Sequence, residues 1–119
     1  MCLCVGDDYC LHESFSQRCL KNEVMLMRSA IYGRMRTGRC VTQEEVAAQK
    51  LLAGEVPGVL GCSADVFEIL DRRCSGHAHC EIRVIDPSLQ EFKPCFPGLS
   101  VYLEASFECV SGKLSLVLL

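Results

Sequence analysis

The 119-residue sequence lacks any excess of basic charge: 12 Lys and Arg residues stand against 15 Asp and Glu residues, for a formal net charge of -3. A nucleic-acid interface needs clustered cations that neutralise phosphates, so this balance argues against nucleic acid as a partner. One local cluster of cations exists, and we interpret it as a solvated loop. It consists of Arg28, Arg34, Arg36 and Arg39.

Long apolar runs are also absent. The C-terminal run at 114–119 is far shorter than the roughly 20 residues that cross a bilayer, so no membrane span is expected in this chain. Residues 1–8 have neither the basic region nor the apolar stretch of a signal peptide, and no Asn-x-Ser/Thr acceptor occurs. We therefore expect a segment of a longer extracellular or cell-surface protein, or a truncated isoform.

The motifs of common catalytic sites are missing. There is no Gly-x-Ser-x-Gly motif and no glycine-rich phosphate loop. Asp65, Glu68 and Asp71 would lie along one helix as a solvated face, and paired cysteines cannot act as nucleophiles. We expect no enzyme activity and no cofactor.

Cysteine, in contrast, is abundant, with ten residues in a short chain. This frequency indicates a disulfide scaffold formed in an oxidising compartment. Zinc sites usually contain Cys-x-x-Cys pairs, and none is present. The segment from Cys74 to Cys80 adds His77 and His79, but four ligands within seven residues would strain a tetrahedral site. We interpret it as a small disulfide loop with exposed histidines and expect no metal; pH sensitivity near 6.5 is the alternative role of the histidines.

Strands are predicted at 15–20, 23–31, 80–85 and 101–109, with a turn at Lys21 and Asn22 between the first two. The second strand alternates only partly, which is typical of burial on both faces. The last alternates regularly, so Cys109 should point into the core with Leu103 and Phe107.

Two helices are predicted. The first begins at a capping box, Thr42 followed by Glu45, and continues through Leu52 to a stop at Gly54. The second begins at Ser63 and buries one stripe. That stripe contains Val66, Ile69, Leu70 and Cys74. The fold class is therefore α+β: an antiparallel β-sandwich with two short helices and long loops, stapled by disulfides.

Three segments, in order, resemble the SUEL-type, or rhamnose/galactose-binding, lectin family. Ala30-Ile31-Tyr32-Gly33-Arg34 resembles its Ala-x-Tyr-Gly-Arg motif, and Arg73-Cys74-Ser75-Gly76 with Cys80 resembles a second motif. The third, Pro94-Cys95 through Gly98 to Tyr102-Leu103-Glu104, is similar to the family's Asp-Pro-Cys-Pro-Gly-Thr-x-Lys-Tyr-Leu segment with one residue inserted. Such domains occur in adhesion-receptor and polycystin-like ectodomains.

The resemblance implies a lectin-like domain at 10–110, preceded by an N-terminal extension at 1–9 and followed by a C-terminal tail at 111–119. Eight cysteines alone would allow 105 pairings, so the connectivity comes from the resemblance and not from spacing. The implied disulfides are Cys10–Cys40, Cys19–Cys109, Cys62–Cys95 and Cys74–Cys80. Cys2 and Cys4 lie outside the match and receive no role.

The resemblance also implies a sugar site, and this chain departs from it. The family's Tyr and Gly positions are kept as Tyr32 and Gly98, whereas its Glu, Asp and Lys positions are Leu11, Lys93 and Val101. Each lost charge-assisted hydrogen bond costs roughly 1.5–3 kcal/mol, so the rhamnose/galactose site is expected to be degenerate.

Two binding functions follow from these departures. The domain could still bind a glycan through Tyr32, Gly98 and Glu13, since Glu13 would share the strand face of Leu11. Alternatively, Leu11 and Val101 create an apolar patch rimmed by Lys93, which fits a protein ectodomain in an adhesion module. Competition of partner binding by free sugar would separate the two.

Overall fold

The computed structural model describes residues 4–53 and 59–112. Its strands are β1 (Val5–Tyr9), β2 (Ser14–Arg18), β3 (Glu23–Arg34), β4 (Cys62–Asp65), β5 (His79–Arg83) and β6 (Tyr102–Ser111). Its helices are α1 (Gln43–Ala53), α2 (Phe67–Cys74) and α3 (Pro87–Gln90). All strand pairs are antiparallel. The fold is thus α+β, as the sequence predicts.

Two sheets enclose the core. One has the strand order β1-β6-β3-β4, and the other pairs β2 with β5. Phe15 of the small sheet meets Phe107 of the large sheet edge-on, with ring centroids 5.7 Å apart. Leu70 of α2 and Ile82 of β5 are buried in the same cluster. Apolar side chains from both sheets therefore interdigitate, which is the basis of a β-sandwich.

The partial alternation in β3 has a different cause from the one predicted. Met25 and Met27 are buried, and so are Ala30 and Tyr32, because the register with β6 shifts between Met27 and Ser29. A bulge adds one residue and moves the following side chains back to the same face. The prediction of a strand buried on both faces is therefore wrong: β3 directs one face to the core through a bulge.

The start of the second helix is also corrected. Ser63 lies in β4, opposite Gly33 of β3, and α2 begins at Phe67. The Asp65 carboxylate accepts a hydrogen bond of 2.8 Å from the backbone N–H of Phe67 and so satisfies one free amide at this helix start. The predicted apolar stripe is confirmed, because Val66, Leu70 and Cys74 are buried.

Besides β4, two further elements were not predicted. Residues 5–9, within the segment assigned to the N-terminal extension, form edge strand β1 along β6. The one-turn helix α3 begins after Asp86, whose carboxylate accepts a 3.0 Å hydrogen bond from the Ser88 N–H. The predicted helix stop at Gly54 lies outside the described residues.

Four disulfides between cysteines of the described residues connect the elements, and their pairs are those that the lectin resemblance implies. They are Cys10–Cys40, Cys19–Cys109, Cys62–Cys95 and Cys74–Cys80. Cys4 is disulfide-bonded as well, and Cys2 lies outside the described residues. This number of disulfides indicates folding in an oxidising compartment, as extracellular domains require.

Candidate functional site

A cavity of about 520 Å³ lies between the β1–β2 turn, β3, α3 and the loop that precedes β6. Its size is within the usual range of ligand sites. Apolar groups make up most of its lining, and no Asp or Glu contributes to it. The lining residues are Leu11, Tyr32, Gln90 and the continuous segment 93–101.

Each residue of the Tyr-Gly-Arg motif has a separate structural role here. Tyr32 lies near the end of β3 and lines the cavity, with 2% of its surface exposed. Burial raises the pKa of its hydroxyl, so the phenol stays protonated and can donate a hydrogen bond. Gly33 has a φ of +153°, and a Cβ there would lie 2.2 Å from the Cys62 carbonyl oxygen. Only glycine allows β3 and β4 to approach this closely.

Arg34 holds the loop that precedes β6 through hydrogen bonds. Its guanidinium is fully buried and donates to the carbonyl oxygens of Val59 and Ser100, at 2.8 and 2.6 Å, and to Oε1 of Gln49 at 2.6 Å. All these acceptors are neutral. Burial lowers the pKa of Arg34, and the nearby Glu45 carboxylate partly opposes that shift. One side chain thus ties α1, residue 59 and the cavity loop to β3. The sequence pattern gave no sign of this role.

The cavity loop has a second attachment in the Cys62–Cys95 disulfide, which links it to β4. Two residues before Cys95, Lys93 adopts a left-handed backbone conformation with φ of +41°, which non-glycine residues rarely adopt. Gly98 also has positive φ, at +89°. These constraints fix the path of the loop around the cavity.

The structure brings together Tyr32 and Gly98 of the predicted site. Leu11, Lys93 and Val101, the positions where the family has Glu, Asp and Lys, line the same cavity. Sequence reasoning missed Phe96, which lines the cavity and is 52% exposed. A lone aromatic residue in a loop gives no local signal of such a position.

Glu13 is not among the cavity residues. Its carboxylate accepts hydrogen bonds of 2.7 and 2.9 Å from Arg39 and one of 2.8 Å from the backbone N–H of Cys10. These hydrogen bonds lower the pKa of Glu13 to about 2, and the bond from Arg39 contributes more than the bond from Cys10. The carboxylate is therefore ionised and engaged in a local network away from Tyr32 and Gly98.

The outer face of the large sheet carries the carboxylates instead. A polar groove there is lined by Asp8, Arg36 and Glu104 among others. Arg36 bonds Glu104 at 2.6 Å and lies 3.5 Å from Asp8, so both carboxylates share one cation of the chain. Burial, partly opposed by Arg36, raises the pKa of Asp8. This groove is internally satisfied and is a weaker candidate than the apolar cavity.

Residues 4–53 and 59–112 carry His, Cys, Asp and Glu side chains in several elements. No group of three or more His, Cys, Asp or Glu side chains could hold a metal ion in this part of the chain. None of the helices described there is long and apolar enough to cross a membrane. His77 and His79 lie in the turn closed by the Cys74–Cys80 disulfide and at the start of β5.

The chain is similar to a protein named eva-1 homolog C. It is 29% identical over 102 residues to the Homo sapiens protein and 28% identical over 101 residues to that of Pan troglodytes. Each match covers 85% of this chain and 21% of the relative, so the chain spans about a fifth of the length of these relatives. No protein-family model matches the chain.

Proposed function

We propose that the chain is an extracellular recognition domain of the rhamnose/galactose-binding lectin type, in which the sugar site has become an apolar cavity that contacts a protein. One observation carries this proposal: five positions that the lectin resemblance assigns to the sugar site converge on one cavity, where three have lost their sugar-binding chemistry. They are Leu11, Tyr32, Lys93, Gly98 and Val101. The proposed role is binding without catalysis, at the cell surface or outside the cell.

The lining of the cavity favours a protein over a sugar. A sugar diol needs acceptors for its hydroxyl protons, and carboxylates are absent among the lining residues. Leu11 and Val101 offer only apolar contact, and Phe96 extends this surface outward. Apolar area next to a polar rim is typical of a protein interaction site.

A glycan function through Glu13 has less support. The Glu13 carboxylate is bound by Arg39 and Cys10 and does not line the cavity, so using it would require breaking three hydrogen bonds. A monosaccharide has few contacts with which to offset that cost.

The test is an NMR titration of the oxidised chain with L-rhamnose and D-galactose, with the backbone amides of Tyr32 and Gly98 as reporters. We expect no saturable shifts up to about 10 mM sugar. A dissociation constant of about 10 mM would correspond to a binding free energy of roughly -3 kcal/mol. Saturable shifts at those two amides would contradict the loss of the sugar site.

A variant that restores the family's residues tests whether the backbone of the cavity keeps the geometry of a lectin sugar site. The triple variant Leu11→Glu, Lys93→Asp and Val101→Lys restores the family's residues, and we expect it to gain millimolar binding of rhamnose or galactose. An intact mass that shows the disulfides and a dispersed amide spectrum would establish that it folds. A folded triple variant that ignores both sugars would show that this cavity is not a converted lectin site.

A further inference from the structure

We propose that the cavity takes an apolar side chain of the protein partner together with an adjacent carboxylate, with the apolar group against Leu11 and Val101 and the carboxylate at Lys93 and Tyr32. The inference rests on the proposed function, because it names the chemistry of the partner segment that the same cavity would receive. It adds a charge requirement to what would otherwise be apolar contact alone.

The first support is the balance of donors and acceptors in the cavity. Tyr32 is almost fully buried, yet no hydrogen bond within residues 4–53 and 59–112 engages its hydroxyl. Every fully buried side-chain nitrogen or oxygen among those residues has a partner, so the hydroxyl must reach the open space of the cavity. A phenol in apolar surroundings gains from an acceptor, and a carboxylate is the strongest acceptor that a protein partner offers.

The second support is that Lys93 forms no ion pair with a carboxylate of the described residues. Arg28, Arg36, Arg39 and Arg73 each form an ion pair with a carboxylate of this chain. No carboxylate of the described segments pairs with Lys93, although it lies on the rim of the cavity. Its backbone has a φ of +41°, so the main chain at this point of the rim is in the left-handed region. Lys93 is the cation among the cavity residues, so a carboxylate on a partner would complement the charge at this rim.

The third support concerns the size of the partner. Phe96 is 52% exposed at the cavity, and Phe92, next to Lys93 in the chain, is 45% exposed. These rings leave apolar surface beyond the cavity, which a small molecule inside it would not cover. A protein surface that inserts one side chain and packs around it would bury both, as aromatic residues do at protein interfaces.

The experiment compares two small probes of this chemistry by NMR at pH 7: N-acetyl-L-phenylalanine, which has a carboxylate, and its neutral amide. We expect saturable shifts at the Tyr32, Gly98 and Val101 amides with both. The acid should bind about threefold more tightly, as one exposed ion pair allows. Sodium octanoate serves as a third probe for lipid-like anions.

Variants assign the difference between the probes to single groups. Lys93→Met should bring the affinities of acid and amide to about the same value. Lys21→Met removes another exposed cation, from the β2–β3 turn, and should leave the ratio unchanged. Tyr32→Phe keeps the ring and should weaken the acid more than the amide.

The outcomes separate this inference from the proposed function. Equal affinity of acid and amide for the unaltered chain would overturn the charge requirement and leave apolar recognition in place. No binding of either probe, or shifts with octanoate alone, would overturn the inference about a protein side chain. Binding of rhamnose or galactose would instead overturn the proposed function itself.

Discussion

At the scale of single residues, Arg34 shows how one buried cation can organise a site without touching a ligand. Neutral oxygens on Val59, Ser100 and Gln49 accept its hydrogen bonds. A planar guanidinium can bond in several directions at once, whereas a lysine ammonium has neither its shape nor its reach. The position of the cavity loop therefore depends on arginine chemistry and not on positive charge alone.

We expect Arg34→Lys to lower the free energy of unfolding by about 2–4 kcal/mol, because buried and partly buried acceptors on Val59, Ser100 and Gln49 lose donors. The measurement is guanidinium-induced unfolding of the oxidised chain at pH 7. Arg72→Lys, at an exposed position of α2, is the control and should change stability by less than about 0.5 kcal/mol. Equal stability of the two variants would mean that the Arg34 network contributes nothing specific.

At the scale of elements, the contact between β3 and β4 depends on the absence of a side chain. Gly33 pairs with Ser63, and a Cβ at Gly33 would lie 2.7 Å from the Cα of Ser63. Both clashing groups belong to the backbone, so a rotamer change cannot relieve the overlap. β4 in turn contains Cys62, whose disulfide to Cys95 attaches the cavity loop.

We expect Gly33→Ala to destabilise the chain by about 2–3 kcal/mol through overlap and an unfavourable φ. The amides of 93–101 should also shift, since the loop moves with β4. Gly38→Ala is the matched control, because nothing lies within 4 Å of a Cβ built there. Thermal unfolding of both variants measures the effect; a neutral Gly33→Ala would show that β3 and β4 can separate without cost.

At the scale of the whole molecule, the disulfides differ in how much chain they close. Cys19–Cys109 spans 90 residues and joins the residue after β2 to β6, whereas Cys74–Cys80 spans 6. In the chain-entropy model the stabilisation grows with the logarithm of the loop length. The long-range bridge should therefore restrict the unfolded chain far more than the local one.

We expect the double variant Cys19→Ala and Cys109→Ala to lose about 4–5 kcal/mol of stability, and Cys74→Ala with Cys80→Ala about 2 kcal/mol. Denaturant unfolding of the two double variants, each with its other disulfides intact by mass, gives the comparison. A larger loss from the short bridge would mean that native packing around Cys74, and not loop closure, dominates.

The sequence by itself determined the features that depend on neighbours along the chain. The Thr42 hydroxyl accepts a 3.2 Å hydrogen bond from the Glu45 N–H at the predicted start of α1. The turn before β3 follows from Asn22, which tolerates its φ of +69°. The alternation in β6 placed Phe107 in the core, since a strand repeats every two residues. Such local rules need no knowledge of the rest of the molecule.

Only the tertiary structure decided which distant segments meet. Residues 63–65 resemble the start of a helix, yet they form β4 because the end of β3 offers a free edge to pair with. Glu13 follows Leu11 closely in sequence, but Arg39 binds its carboxylate while Leu11 faces the cavity. Both outcomes depend on partners more than 20 residues away, at separations of 26 residues for Glu13–Arg39 and 30 for Gly33–Ser63. A local pattern cannot carry that information, because the competing interactions exist only once the chain has folded.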